Sequence, residues 1–129
     1  MKSRTVSVFI RRPPADVYDF VSEARNLPRW ATAFVRSVRP ENGAWIIDTP
    51  LGEMGLRFVE RNTLGVLDHL VTLASGDVSL NPMRVLPNGE GSEVIFTLFQ
   101  ASDMSDLQFV EDVASVEGDL RTLKQVLES

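Results

Sequence analysis

Residues 105–127, SDLQFVEDVASVEGDLRTLKQVL, decide the fold. Phe109, Val113, Val116, Leu120, Leu123 and Leu127 advance by 4, 3, 4, 3 and 4, the step of one unbroken apolar seam on an α-helix. Ser105 with Gln108 three residues on fits a capping box, and Asp106 complements the positive end of the helix dipole. Arg121 and Lys124 fall toward the other end, where positive charge is favoured. A helix over 106–127 is roughly 33 Å long at 1.5 Å per residue. Gly118 inside it costs about 1 kcal/mol against alanine. So long an amphipathic helix needs an apolar surface to lie on.

Residues 33–101 supply that surface. Asn42-Gly43 is the strongest hairpin signal, because both central residues of a type I′ turn need positive φ. Further breaks fall at Pro50-Leu51-Gly52, Asn62 to Gly65, Ser75-Gly76-Asp77 and Asn88 to Gly91. Five turns at such regular spacing predict six strands in a meander, with cores FVRSV, AWIID, GLRFVE, VLDHLVTLA, VSLNPMRVL and SEVIFTLFQ. In the last, Val94, Phe96, Leu98 and Gln100 oppose Glu93, Ile95, Thr97 and Phe99.

Residues 3–12 add a further strand, with Val6, Val8 and Ile10 on one side. Pro13-Pro14 stops it and opens a helix whose Val17, Phe20, Val21 and Ala24 form one stripe. Asn26 is expected to cap a second, very short helix through Trp30. The predicted class is α+β: a seven-stranded curved antiparallel sheet wrapping a long C-terminal helix, with two short helices between strands 1 and 2. Helix and sheet curvatures differ, so a pocket is expected where they part.

The length fits a single domain over residues 1–129. Cysteine is absent and there is one histidine, which excludes disulfides, thiolate chemistry and a His/Cys zinc site. No HExxH, G-x-S-x-G or dinucleotide-binding glycine pattern occurs, and no cofactor is expected. A net charge of −5 argues against nucleic acid as a partner. No apolar run is long enough for a signal peptide or a membrane span, so the expected location is cytoplasmic. Residues 1–39 carry eight Lys/Arg against three Asp/Glu, whereas residues 40–129 carry five against fifteen. The basic third is read as lying beside acidic strands and helix, a partner-seeking face being the alternative.

The run VFIRRPPADVYDFVSEARNLPRW, residues 8–30, resembles the opening of the START-like SRPBCC superfamily, in particular its polyketide cyclase/dehydrase-like branch. The matching positions are Pro14, Val17, Tyr18, Phe20, Val21, Pro28 and Trp30. The resemblance implies a helix-grip fold over the whole chain and a small apolar ligand. It carries over no catalytic residue, because members share no catalytic motif, and the catalytic assignment stays unknown.

Candidate ligand contacts are polar or aromatic residues on apolar faces. His69 shares a strand face with Leu67, Val71 and Leu73, which suggests an inward donor or a general acid/base. Arg84 falls on the side of Val78, Leu80 and Leu86, and Glu60 on that of Leu56 and Phe58. Were both to point inward, a pair between them would satisfy two buried charges. Trp30 and Trp45 are candidates to stack on a flat ligand, and Phe96 and Leu120 complete the apolar lining. The expected function is binding or carriage of a lipid, quinone or polyketide-like molecule. The alternatives are a cyclase/aromatase or dehydratase, and a protein-interaction module. Oligomeric state stays open.

Overall fold

The computed structural model describes residues 1–129. Strand β1 (Ser3–Ile10) leads into α1 (Pro14–Ser22), a 3-10 turn at Ala24–Asn26 and α2 (Leu27–Trp30). Then follow β2 (Ser37–Glu41), β3 (Ala44–Thr49), β4 (Gly52–Phe58), β5 (His69–Thr72), β6 (Val78–Asn81), β7 (Met83–Asn88), β8 (Gly91–Phe99) and α3 (Asp106–Glu128). Every strand pairing is antiparallel, in the orders β1-β8-β7 and β2-β3-β4-β5-β6. Asn42 and Gly43 take φ of 48° and 78° at the β2–β3 turn, as the hairpin signal predicts.

Eight strands stand where seven are expected, and Pro82 is the reason. The predicted strand VSLNPMRVL is divided there into β6, which pairs with β5, and β7, which pairs with β8. Proline has no N–H to give the ladder. Its carbonyl still accepts from Thr97 N at 3.0 Å. The Met83 N–H turns to the Asp68 carboxylate at 2.9 Å. Beyond the break the two sheets stay joined, because Leu67 N donates to Met83 O (2.8 Å) and Val85 N to Gly65 O (2.9 Å). Gly65 is required here: its φ is +73°, and a Cβ would run into the Val85 carbonyl.

Helix α3 lies against β1, β8 and α2. Phe109, Val113, Leu120, Leu123 and Leu127 of its seam are buried, and Val116 is half-buried. They meet Val6, Ile10, Val94, Phe96 and Leu98 from the strands and Leu27 and Trp30 from α2 in one apolar core. Each large side chain so buried contributes on the order of 1.5–3 kcal/mol. Ser105 Oγ accepts the Gln108 N–H at 3.1 Å, which is the expected cap. The reciprocal arm of the box does not form, since Gln108 Nε2 donates to Asp112 Oδ1 at 2.8 Å. Asn26 does not cap α2 either. Its amide is used by the Phe20 carbonyl at 3.0 Å, inside the 3-10 turn. No helix is long and apolar enough to cross a membrane.

Candidate functional site

The inner face is built from alternate residues of four strands: Trp45 and Ile47 on β3, Met54, Leu56 and Phe58 on β4, His69 and Val71 on β5, and, from the other sheet, Val94, Phe96 and Leu98 on β8. The register sets Phe58 directly opposite His69. The imidazole stands 5.3 Å from the Phe58 ring and 5.8 Å, edge-on, from the Phe96 ring. Three rings thus form a row along the inner face.

His69 Nδ1 lies 3.0 Å from the Leu67 carbonyl. A carbonyl only accepts, so Nδ1 carries the hydrogen and Nε2 is the acceptor. Nε2 has no hydrogen-bond partner within the chain. Enclosure of the ring pushes its pKa below the ordinary value, against the smaller opposing pulls of the Leu67 carbonyl and Asp68. The histidine is held neutral, which suits it to accept a hydrogen bond at Nε2.

Behind Phe58 lies an apolar cleft of about 130 Å³, lined by Tyr18, Ser22, Phe58, Val59, Arg61, Val66 and Leu67. It opens between α1 and the chain that connects β4 to β5. Tyr18 is positioned by the apolar stripe of α1, and its hydroxyl accepts the Asn62 N–H at 2.9 Å. Asn62 ties the connection into a compact loop: its Oδ1 accepts from Leu64 N and Val66 N, and its Nδ2 donates to Val66 O.

The candidates from sequence do not all converge. His69 and Phe96 meet. Leu120 is buried on α3, and Trp45 lies on the inner face of β3 opposite Leu56, with the Arg25 guanidinium 4.9 Å over its ring. Trp30 is core, wedged on α2 against α3, and its Nε1 has no partner. Glu60 is exposed just beyond β4.

Arg84 does not pair with Glu60. On β7 the buried side is that of Met83 and Val85, so the side shared by Val78, Leu80, Arg84 and Leu86 faces outward. There Arg84 forms a two-pronged pair with Asp68, Nε to Oδ1 at 3.0 Å and Nη2 to Oδ2 at 2.9 Å. The hydrogen bond from Arg84, with help from Met83 N, outweighs burial and holds the Asp68 carboxyl below its usual range.

One buried acid escaped the sequence reading. Asp119 sits inside on α3, where its Oδ1 accepts the Ala33 N–H at 3.0 Å. Loss of water around it raises its pKa to about 6, against a smaller lowering by that hydrogen bond. No three His, Cys, Asp or Glu side chains gather into a metal-holding group.

Comparison with known proteins places this architecture. XoxI from Bacillus cereus superposes with a TM-score of 0.80 at 17% identity, over 100% of this chain and 97% of that one. A START superfamily protein from Mycobacterium smegmatis gives 0.73 at 10% identity, over 98% and 97%. DynU16, a protein of the dynemicin biosynthetic locus, gives 0.76 at 13%, over 100% of this chain and 48% of that one. At these identities the likeness is one of fold. No curated protein matches in sequence. The family model described as polyketide cyclase/dehydrase and lipid transport matches residues 1–128. With its START-like fold and that match, the chain belongs to the polyketide cyclase/dehydrase and lipid transport family, whose character supports a ligand-binding role.

Proposed function

We propose that this chain, as a single cytoplasmic domain, binds or carries a small, largely apolar molecule of lipid, quinone or polyketide-like class. The proposed site begins at the cleft between α1 and the β4–β5 connection, where Phe58 separates it from His69 and Phe96. The observation that carries the reading is the apolar cleft whose back wall, Phe58, packs at a tilt against the chain's only histidine. At about 130 Å³ the cleft is smaller than the ~300–1,000 Å³ of drug-sized sites, so it admits one ring or one end of a chain. A longer ligand reaches past Phe58 toward His69 and α3 only if that ring turns aside. Trp45 on β3 and Leu120 on α3 lie away from the cleft and would be met only by the longer ligand, whereas Glu60 and Arg84 lie outside the proposed site.

Native mass spectrometry of the purified protein tests this directly. A co-purified apolar molecule, lost on Phe58→Trp substitution, is the expected result. A protein that arrives empty and takes up no octanol or naphthalene would overturn it.

A second reading, a cyclase/aromatase or dehydratase, draws support from one feature, the neutral His69 ring with an unpartnered Nε2. His69→Gln separates the two. In a carrier it weakens ligand binding by roughly 1–3 kcal/mol, the loss when a buried polar partner goes unpaired. In an enzyme it lowers turnover about 100-fold or more and leaves binding nearly unchanged.

A further inference from the structure

Arg61 is the one charged residue among the seven that line the cleft, and it stands at the mouth. Its guanidinium lies 5.0 Å over the Tyr18 ring, donates from Nη1 to Ser22 Oγ at 3.1 Å, and pairs with Asp19. That ion pair is open to solvent, with side-chain exposures of 65% for Arg61 and 61% for Asp19. Pairs so exposed contribute little to stability. The aromatic contact and the serine hold the guanidinium in place independently of Asp19.

Two hydroxyls face the same opening. The Tyr18 oxygen already accepts from Asn62 N, which leaves its own hydrogen unassigned to any acceptor in the chain. Ser22 Oγ donates only to the Asp19 carbonyl, at a long 3.3 Å. An apolar interior with a planar cation and two hydroxyls at its rim matches an apolar body with an anionic head. The fork of a guanidinium fits a carboxylate in two-pronged fashion.

We propose that the cleft recognises a ring-sized or short-chain molecule bearing a carboxylate, whose head takes the place of Asp19 on Arg61. The proposal rests on the ligand-binding reading above and adds the chemical class of the head group. The interior has the right size for one ring, since an apolar cavity of about 150 Å³ holds benzene.

Benzoate and benzamide test it, because they share a shape and differ in charge. Binding to the full chain at pH 7 is followed by calorimetry and by the NMR signals of Tyr18 and Phe58. Benzoate is expected to bind about tenfold more tightly than benzamide, the difference made by hydrogen bonds to a charged partner. Arg61→Gln is expected to abolish the preference, with benzoate binding falling about tenfold and benzamide binding falling less. Asp19→Asn, which removes the competing carboxylate, is expected to strengthen benzoate binding. Equal affinity for the two probes, or a preference that survives Arg61→Gln, overturns the carboxylate assignment and leaves the apolar cleft standing. If neither probe shifts Tyr18 or Phe58, the ligand-binding reading of the cleft falls, and the assignment with it.

Discussion

Asp68 and Arg84 clasp one another across the point where Pro82 interrupts the sheet, through two parallel hydrogen bonds of 3.0 and 2.9 Å. Asp68 also receives the Met83 N–H, the backbone donor next to the interruption. One carboxylate therefore satisfies both the backbone donor left off the ladder at the break and the guanidinium beside it.

Removing it is expected to cost more than an ordinary surface ion pair. Asp68→Ala leaves Met83 N and a half-exposed guanidinium without a partner, so a loss of about 1–3 kcal/mol is expected in urea unfolding. Arg84→Ala leaves Asp68 its bond to Met83 and is expected to cost less. The Asp68 pKa is lowered in the folded protein, so its contribution is present above the ordinary carboxylate range and fades as pH falls below about 4. Equal stability of Asp68→Ala and the parent chain at pH 7 would show the clasp to be idle.

Asp119 behaves in the opposite sense. Its pKa stands at about 6 in the folded protein against an ordinary 3.8, so the folded state binds this proton more tightly than the unfolded chain. The contribution is fully favourable below pH ~4 and is lost as pH rises through 6. Asp119→Asn keeps an oxygen for the Ala33 N–H and carries no charge. It is expected to stabilise the protein by on the order of 1–2 kcal/mol at pH 7.5 and by little at pH 4. A gain of the same size at both pH values would point away from the charge as its cause.

Gly118 yields the simplest test. It lies within α3, and the nearest atom to an added Cβ is the flexible Arg121 Nη2 at 3.7 Å, an ordinary contact. Gly118→Ala is expected to raise stability by about 0.5–1 kcal/mol, visible as a higher melting temperature. A destabilised variant would mean that the backbone at this position has a task beyond the helix.

Most of the architecture could be read in the chain because burial imposes periods. The α3 seam from Phe109 to Leu127 has one way to hide six large side chains, and Asn42-Gly43 has one favoured turn. The inward direction of His69 followed from Leu67 and Val71, both of which are buried. Where both faces of a strand carry apolar residues, alternation fixes parity and leaves the side undecided. Val78, Leu80 and Leu86 looked like core and are 59%, 50% and 42% exposed, while Met83 and Val85 took the inside.

The cleft and the buried acid had no signal of either kind. Tyr18 meets Asn62 across 44 residues, and Arg61 reaches Asp19 across 42. Asp119 sits beside Glu117 in an acidic helix, where such residues ordinarily mark a solvated face. Its burial comes from the loop after α2, whose Ala33 N–H needs an acceptor. Neither partner announces the other along the chain.

Pro82 divides the strands into two parts that share one row of rings. On one side of it stand β1, β7 and β8, which carry α3; on the other stand β2 to β6, which carry His69 and Phe58. His69 meets Phe58 from one part and Phe96 from the other. A change at Pro82 or at its Asp68 clasp is therefore expected to be felt at the row of rings, although neither residue belongs to it.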